Sequence, residues 1–354
     1  MALLLPLGLI SIAATAWLMG WGLLRVLLVA VLVWIIVLIA MLAAPAAEIR
    51  AFDGLDLKVW TIIGMLVGAG LCYAGALRWL REKAGARWGD PQAQTAATAE
   101  DDDRLERYAR HYMLREIGGP GQGKLRDARV LIIGAGGLGA PSALYLAGAG
   151  VGHITIADAD EVSVSNLQRQ IIYRSADAGR PKGLAAVEAL RALNPHIEID
   201  ALRCEITGED ADLIAGFDLV LDGTDSFAAR EGINAACAAA GVPLIAGAIA
   251  QWEGQITLYD PSHGAPCLVC IFPQRPAPGL VLSCAEAGVV GPLPGVIGSM
   301  MALEAIKHLT GAGSGLAGQM LIYDGLYGET RKIRLSRRPD CPVCSGVEAR
   351  AGTA

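Results

Sequence analysis

Apolar and polar residues follow two different patterns along this chain. Up to Leu77 the apolar residues come in unbroken runs. No charged residue occurs from Leu3 to Leu24 or from Val26 to Ala47, and a third run extends from Val59 to Leu77. Runs of about 20 residues span a hydrocarbon core as helices, and runs without a polar face suit no surface helix of a soluble domain. The pattern predicts a membrane anchor over residues 1–83, with two or three transmembrane helices at about 3–24, 26–47 and 57–80. The count falls to two if Leu3–Leu24 lies in the interface. A cleaved signal peptide fits poorly, because the extreme N-terminus lacks a basic residue and the run is too long. Arg78, Arg81, Lys83 and Arg87 crowd the end of the third run, whereas the loop before it has no basic excess. Positive-inside bias therefore places everything after Arg78 in the cytoplasm, on a multi-pass protein of the cytoplasmic (inner) membrane.

Residues 84–103 are rich in Ala, Gln and Thr and end in Glu100-Asp-Asp-Asp103, which predicts a solvated, flexible linker. Beyond it the apolar residues come in short blocks. Strand-like blocks at Arg129–Ile133, His153–Ala157, Ile197–Leu202, Leu219–Leu221 and Pro243–Ala246 alternate with helical stretches at Pro141–Gly150, Lys182–Leu193 and Asn234–Ala240. This alternation predicts an α/β domain over 104–346, a Rossmann-like, mostly parallel sheet with helices on both faces. Gln255–Tyr259 and Met320–Asp324 read as antiparallel additions, and 347–354 as a tail.

Composition adds little to the apolar pattern but narrows the chemistry. The 53% apolar content is concentrated at the front. A net charge of −6, with no basic stripe interleaved with aromatics, gives no support for nucleic-acid binding. Of eight cysteines, four form two C-x-x-C pairs, which in a cytosolic domain point to metal or redox chemistry before structural disulfides. The five histidines form no ligand pattern.

Gly134-Ala-Gly136-Gly137-Leu-Gly139 lies between a predicted strand and helix. Glycines there let the backbone approach a phosphate at a helix N-terminus. Asp158, 24 residues after Gly134, stands where a ribose-binding carboxylate is expected. This fingerprint fits an NAD-dependent oxidoreductase as well as an ATP enzyme. The run Ser165-Asn166-Leu167-Gln168-Arg169-Gln170, then Arg180-Pro-Lys182 and Leu221-Asp-Gly-Thr-Asp225, separates the two. Arg169 and Lys182 suit a polyphosphate, and Asp225 suits Mg²⁺, which takes one or two carboxylates plus phosphate oxygens. A nicotinamide site needs neither.

Arg107-Tyr-Ala-Arg110, the glycine loop, Ser165–Gln170, Asn194-Pro195, Thr224-Asp225 and Glu286-Ala-Gly-Val-Val occur in this order. Together they resemble the bacterial E1-like adenylyltransferases, whose members include the molybdopterin-synthase and thiamine sulfur-carrier adenylyltransferases. The resemblance covers about 104–346, and Glu253–Thr257 and Gly295–Ser299 look closer to the molybdopterin branch. It implies ATP-dependent adenylation of the C-terminal glycine of a small ubiquitin-like sulfur carrier ending in Gly-Gly, by a homodimer. It places Gly137, Asp158, Ser165, Asn166, Arg169, Lys182 and Asp225 at the ATP site. Gly134, Gly136, Gly139, Leu167, Gln168 and Ser226 adjoin them as nucleotide-binding candidates. Arg110 matches an arginine that reaches the neighbouring subunit's nucleotide. The chain departs from the family's usual Asp-Cys-Thr-Asp-Asn at Gly223 and Ser226.

Cys267-Leu-Val-Cys270 and Cys341-Pro-Val-Cys344 suit a closed, structural Zn²⁺ site, and the layout matches the family's. Cys284 resembles the cysteine some relatives use for a covalent link to the carrier, and makes a catalytic candidate. It reads equally as a small buried apolar group. Three other readings stand beside adenylation: an NAD-dependent oxidoreductase, which leaves Ser165–Gln170 and the cysteine pairs unexplained, a membrane-tethered module that binds a ubiquitin-like protein without turnover, and an enzyme acting on a tRNA base.

Overall fold

A computed structural model describes residues 102–275 and 288–348, with isolated positions nearer the N-terminus. Strand β1 (Arg129–Ile133) reads R-V-L-I-I without alternation. Strand side chains point alternately to opposite faces, so such a run carries apolar groups to both. Val130 and Ile132 enter one core, and Leu131 and Ile133 the other. Helices α1 (Gly118–Asp127), α2 (Gly139–Ala149), α3 (Lys182–Leu193), α4 (Phe227–Ala240) and α5 (Pro292–Thr310) provide the cover. All but α4 pack into the first core, and α4 builds the second with the short turns Ala211–Ile214 and Leu268–Ile271.

The remaining strands are β2 (His153–Ala157), β3 (Glu198–Leu202), β4 (Leu219–Asp222), β5 (Leu244–Ala250), β6 (Glu253–Tyr259), β7 (Gln319–Asp324) and β8 (Glu329–Arg334). Their order is β3-β2-β1-β4-β5-β6-β7-β8. The first five run parallel, and β6, β7 and β8 are added antiparallel. Ile133 at the end of β1 pairs with Ala157 on one side and Asp222 on the other. The loops leaving β1, β2 and β4 therefore emerge level with one another. The chain first builds outward from β1 to β3, then returns to the other side of β1. The crevice at that reversal is where α/β sheets of this kind hold ligands.

The strands expected from the sequence are all present, most with ends shifted by a residue or two. Strand β8 was not anticipated. Its E-T-R-K-I-R is exposed at every position, and a charged edge that discourages further pairing also hides the apolar signal of a strand. Helix α4 begins earlier than Asn234, because Ser226 caps it through an N–H···Oγ bond from Ala229 (3.1 Å). Helix α5 opens on Pro292-Leu-Pro294, and proline is tolerated in a first helical turn. The linker expected over 84–103 needs a correction at its end. Residues 102–107 are helical, and Asp103 bonds to His196 and Arg107, which fastens this segment to the domain. Among the described residues no helix is long and apolar enough to cross a membrane. The three apolar runs, the rest of the linker and Cys284 lie outside the described residues.

Candidate active site and metal centre

The glycine loop leaves β1 where only glycine suits the backbone. Gly134 has φ +87°, and a Cβ on Gly139 would sit 1.8 Å from the Gly134 carbonyl oxygen. Helix α2 starts at Gly139, so the positive end of its dipole faces the crevice; within its first turn the Ala140 and Ser142 N–H groups already bond to the Gly136 and Leu138 carbonyls and Pro141 has none. The loop is held from beneath. Asp158 Oδ2 accepts the Ala135 N–H (2.7 Å), and the Tyr173 hydroxyl donates to the Ala135 carbonyl (2.8 Å). Asp158 Oδ1 accepts the Asp160 N–H (2.8 Å). Each carboxylate oxygen retains a free lone pair, so ribose recognition is compatible with this bracing role. Burial pushes the Asp158 carboxyl above its usual range, against the pull of Lys182 and of its two N–H donors.

The Ser165–Gln170 segment folds against this loop. Arg169 donates to Asn166 Oδ1 (2.9 Å) and the Ser165 carbonyl (3.3 Å), and Arg169 Cδ lies 3.8 Å from where a Gly137 Cβ would stand. Gln168 packs on Gly291, where a Cβ would meet its Oε1 at 2.6 Å. Leu167 packs its side chain against the first core, which leaves only its backbone for a ligand. Lys182 is 5% exposed, at the first turn of α3, and its Nζ pairs with Asp160 (2.8 Å). Arg180 is occupied by Asp177 and Glu188, each at 2.6 Å, so the second cation of the crevice is Lys182. Across the switch point, Asp225 is exposed on the loop after β4, and Ser226 spends its hydroxyl on the α4 cap. A Cβ on Gly223 would lie 2.9 Å from the Gly139 nitrogen, so the two loops approach backbone to backbone. Arg110 is exposed on the helical turn Ala109–Tyr112, beside α1.

The structure thus gathers the glycine loop, Asp158, Ser165, Asn166, Arg169 and Lys182 at one end of the sheet, with Asp225 on the neighbouring loop. It adds Tyr173, Asp160 and Asp222, which sequence reasoning did not single out. Tyr173 and Asp222 are buried; no motif marks Tyr173, and Asp222 lies within the Leu221–Asp225 run without a role that the run assigns.

The four cysteine sulfurs lie within 4.8 Å of one another, all in buried residues. The separations Cys267–Cys270, Cys267–Cys341 and Cys270–Cys344 are 3.8, 3.5 and 3.4 Å. A tetrahedral ion with Zn–S bonds near 2.3 Å needs sulfurs about 3.8 Å apart, so the cluster fits one closed four-coordinate metal. Burial pushes the Cys344 thiol up to about 11. At Cys341 burial acts in the same direction but is outweighed by the Cys344 and Val343 N–H groups and two neighbouring thiols, which bring it down to about 7. Arg337 fastens the tail around the cluster, donating to the carbonyls of Pro261 (3.1 Å), Val347 (2.7 Å) and Cys344.

The profile of the ThiF family matches residues 108–343. A sulfur carrier protein adenylyltransferase of Thermus thermophilus is 46% identical over 247 residues, covering 68% of this chain and 91% of that protein. The molybdopterin-synthase adenylyltransferase of Escherichia coli K12 is 47% identical over 244 residues, covering 69% and 97%. The sulfur carrier protein ThiS adenylyltransferase of the same organism is 45% identical over 250 residues, covering 70% and 98%. The solved structure of Escherichia coli MccB with ATP superposes with a TM-score of 0.60 at 23% identity, over 68% of this chain and 75% of that one. That last likeness is one of fold.

Tyr173→Phe strands the 1%-exposed Ala135 carbonyl without its hydroxyl donor. It is expected to cost about 1–3 kcal/mol, measured as a lower denaturant midpoint at unchanged slope; an unchanged midpoint would show that the bond does not brace the loop.

Proposed function

The chain belongs to the ThiF family, and on that footing we propose that it adenylates the C-terminal glycine of a small ubiquitin-like sulfur carrier with ATP. The products are an acyl-adenylate and pyrophosphate. The carrier is of the molybdopterin-synthase small-subunit or thiamine sulfur-carrier type. The observation that carries this reading is the convergence of Arg169, buried Lys182 and the α2 N-terminus at the glycine loop, with exposed Asp225 across the crevice.

The chemistry follows from these groups. A carboxylate is already ionised at neutral pH and needs no general base. One of its oxygens attacks the α-phosphorus, and the bond to the bridging oxygen of pyrophosphate breaks. Arg169, Lys182 and the positive end of α2 neutralise charge building on the phosphate oxygens, and a fixed loop holds the reactants in line. Asp158 orients the ribose. Mg²⁺, which Asp225 would hold, supplies further charge neutralisation. Asp225→Asn is expected to lose carrier-dependent ATP–pyrophosphate exchange while melting like the parent; full activity in that variant would remove Asp225 from the mechanism. Arg110 would complete the partner's site in a homodimer, so mixing Arg110→Ala with Asp225→Asn subunits should restore part of the activity. No recovery in confirmed hybrid dimers would refute a shared site.

The four-cysteine cluster would hold Zn²⁺ as a structural ion, tying residues 341–344 to the segment after β6. One zinc per chain is expected in protein purified without chelator. Cys341→Ser should release it and lower the melting temperature, because structural zinc contributes directly to folding. Absence of stoichiometric zinc from the parent would dispose of the assignment.

The apolar runs before residue 83 would anchor this domain in the cytoplasmic membrane, with the active site facing the cytoplasm. Full-length protein should resist alkaline carbonate extraction and, in sealed inside-out vesicles, lose its catalytic domain to added protease. Release by carbonate, or protection in those vesicles, would contradict the topology.

A further inference from the structure

Asp222, the last residue of β4, is fully buried and lies three positions before Asp225. Its Oδ1 accepts two bonds from Thr224, one from the N–H (2.8 Å) and one from the hydroxyl (2.7 Å). Its Oδ2 is buried with no partner among the described residues. Arg230, in the first turn of α4, takes the third polar group of Thr224 by donating to its carbonyl. Thr224 is therefore gripped at N–H, O–H and C=O, which fixes the peptide that leads into Asp225. Asp225 itself is exposed and has no hydrogen bond among the described residues. Its placement must come from this preceding peptide.

A buried carboxyl group with one unpartnered oxygen is a poor device for stability, since burying an unsatisfied polar atom costs more than an apolar side chain would. The remainder of the loop is equally constrained. The Gly223 N–H continues the β1 pairing to the Ile133 carbonyl (2.9 Å), and its Cα packs against the Gly139 backbone. The Asp222–Thr224–Arg230 grip is thus built onto the glycine loop and sets the distance between that loop and Asp225.

We propose that Asp222, acting through Thr224 and helped by Arg230, is the positioning residue that aims Asp225 at the phosphate site. This rests on the adenylation reading above. Asp222 touches no reactant; it acts on the geometry of the transition state and leaves nucleotide binding to the glycine loop, Arg169 and Lys182. Misplacing a catalytic group by an ångström costs on the order of a hundredfold in rate. Thr224→Val, which keeps the N–H bond and loses the hydroxyl, is therefore expected to lower kcat of carrier-dependent pyrophosphate exchange by about tenfold, and Asp222→Ala by about a hundredfold. KM for ATP should stay within about a factor of three, since uniform binding is untouched. Thr224→Ser should restore parental kcat. The double variant Asp222→Ala/Thr224→Val should be no slower than Asp222→Ala alone, because both act on one contact.

The measurement is kcat and KM for the full-length chain and each variant, with thermal melts to verify folding. If Asp222→Ala does not fold, Thr224→Val against Thr224→Ser decides. Unchanged kcat in Thr224→Val, a rise in KM with kcat preserved, or a Thr224→Ser protein as slow as Thr224→Val would each overturn the proposal. If the parent itself shows no exchange with a Gly-Gly-ended carrier, the adenylation reading falls and takes this inference with it. Exchange in the parent with unaffected variants overturns this inference alone.

Discussion

At the reversal of strand order, two segments of backbone pass so closely that no side chain fits between them. The Gly134 carbonyl occupies the space a Gly139 Cβ would need, and Gly223 leans on the Gly139 nitrogen from the other side. The first contact turns the chain straight from β1 into α2 and points the positive end of that helix at the crevice. The second brings the loop after β4 to the same place, and with it Asp225. Ile133 is the common neighbour of Ala157 and Asp222, so the register of the sheet keeps three loop origins level. The glycine loop and Asp225 are neighbours because of this one close approach.

Of the groups that would meet the substrate, Asp225 is exposed and Arg169 half-buried, while Lys182 and Asp158 are buried, as are the supporting Tyr173 and Asp222. Asp158 and Tyr173 hold the N–H and the C=O of Ala135, and Asp222 and Arg230 hold the N–H and the C=O of Thr224. A residue held at both its N–H and its C=O has little freedom to reorganise when charge develops nearby, which is the condition for electrostatic stabilisation of a transition state. Lys182 differs from the other cation. It is nearly buried and already paired with exposed Asp160, so a polyphosphate entering the crevice would take over an anion's place at that ammonium.

The cysteine cluster acts at the other end of the sheet's logic. Strands β7 and β8 form an edge held to the rest of the sheet through β6 alone. The segment after β8 returns through Arg337 and the second C-x-x-C pair to the loop that follows β6. Next to that pair, the Leu268 N–H donates to Asn234 of α4 (2.8 Å), the helix whose N-terminus follows Asp225. A metal in the cluster would therefore brace both the added strands and the helix behind the active site.

The sequence alone determined the local features of this protein. Apolar runs with no polar relief announce strands buried on both faces, glycines between a strand and a helix announce a phosphate loop, and paired C-x-x-C motifs announce a metal. Each is a property of a few adjacent residues and their side-chain period. The order of motifs from Arg107 to Val290 gave the family, because their sequence along the chain is itself specific. The signal failed where local pattern and tertiary role diverge: the charged edge strand β8, the proline-led α5, and Leu167, whose side chain joins the core inside a polar motif. What only the tertiary structure decided is which polar groups support the site. Asp222, Thr224 and Arg230, and likewise Asp158, Ala135 and Tyr173, act through hydrogen bonds, at 2.7–2.8 Å for those of Asp158, Tyr173 and Asp222, between groups that folding brings into register. A hydrogen bond depends on distance and angle in space, and separation along the chain carries neither.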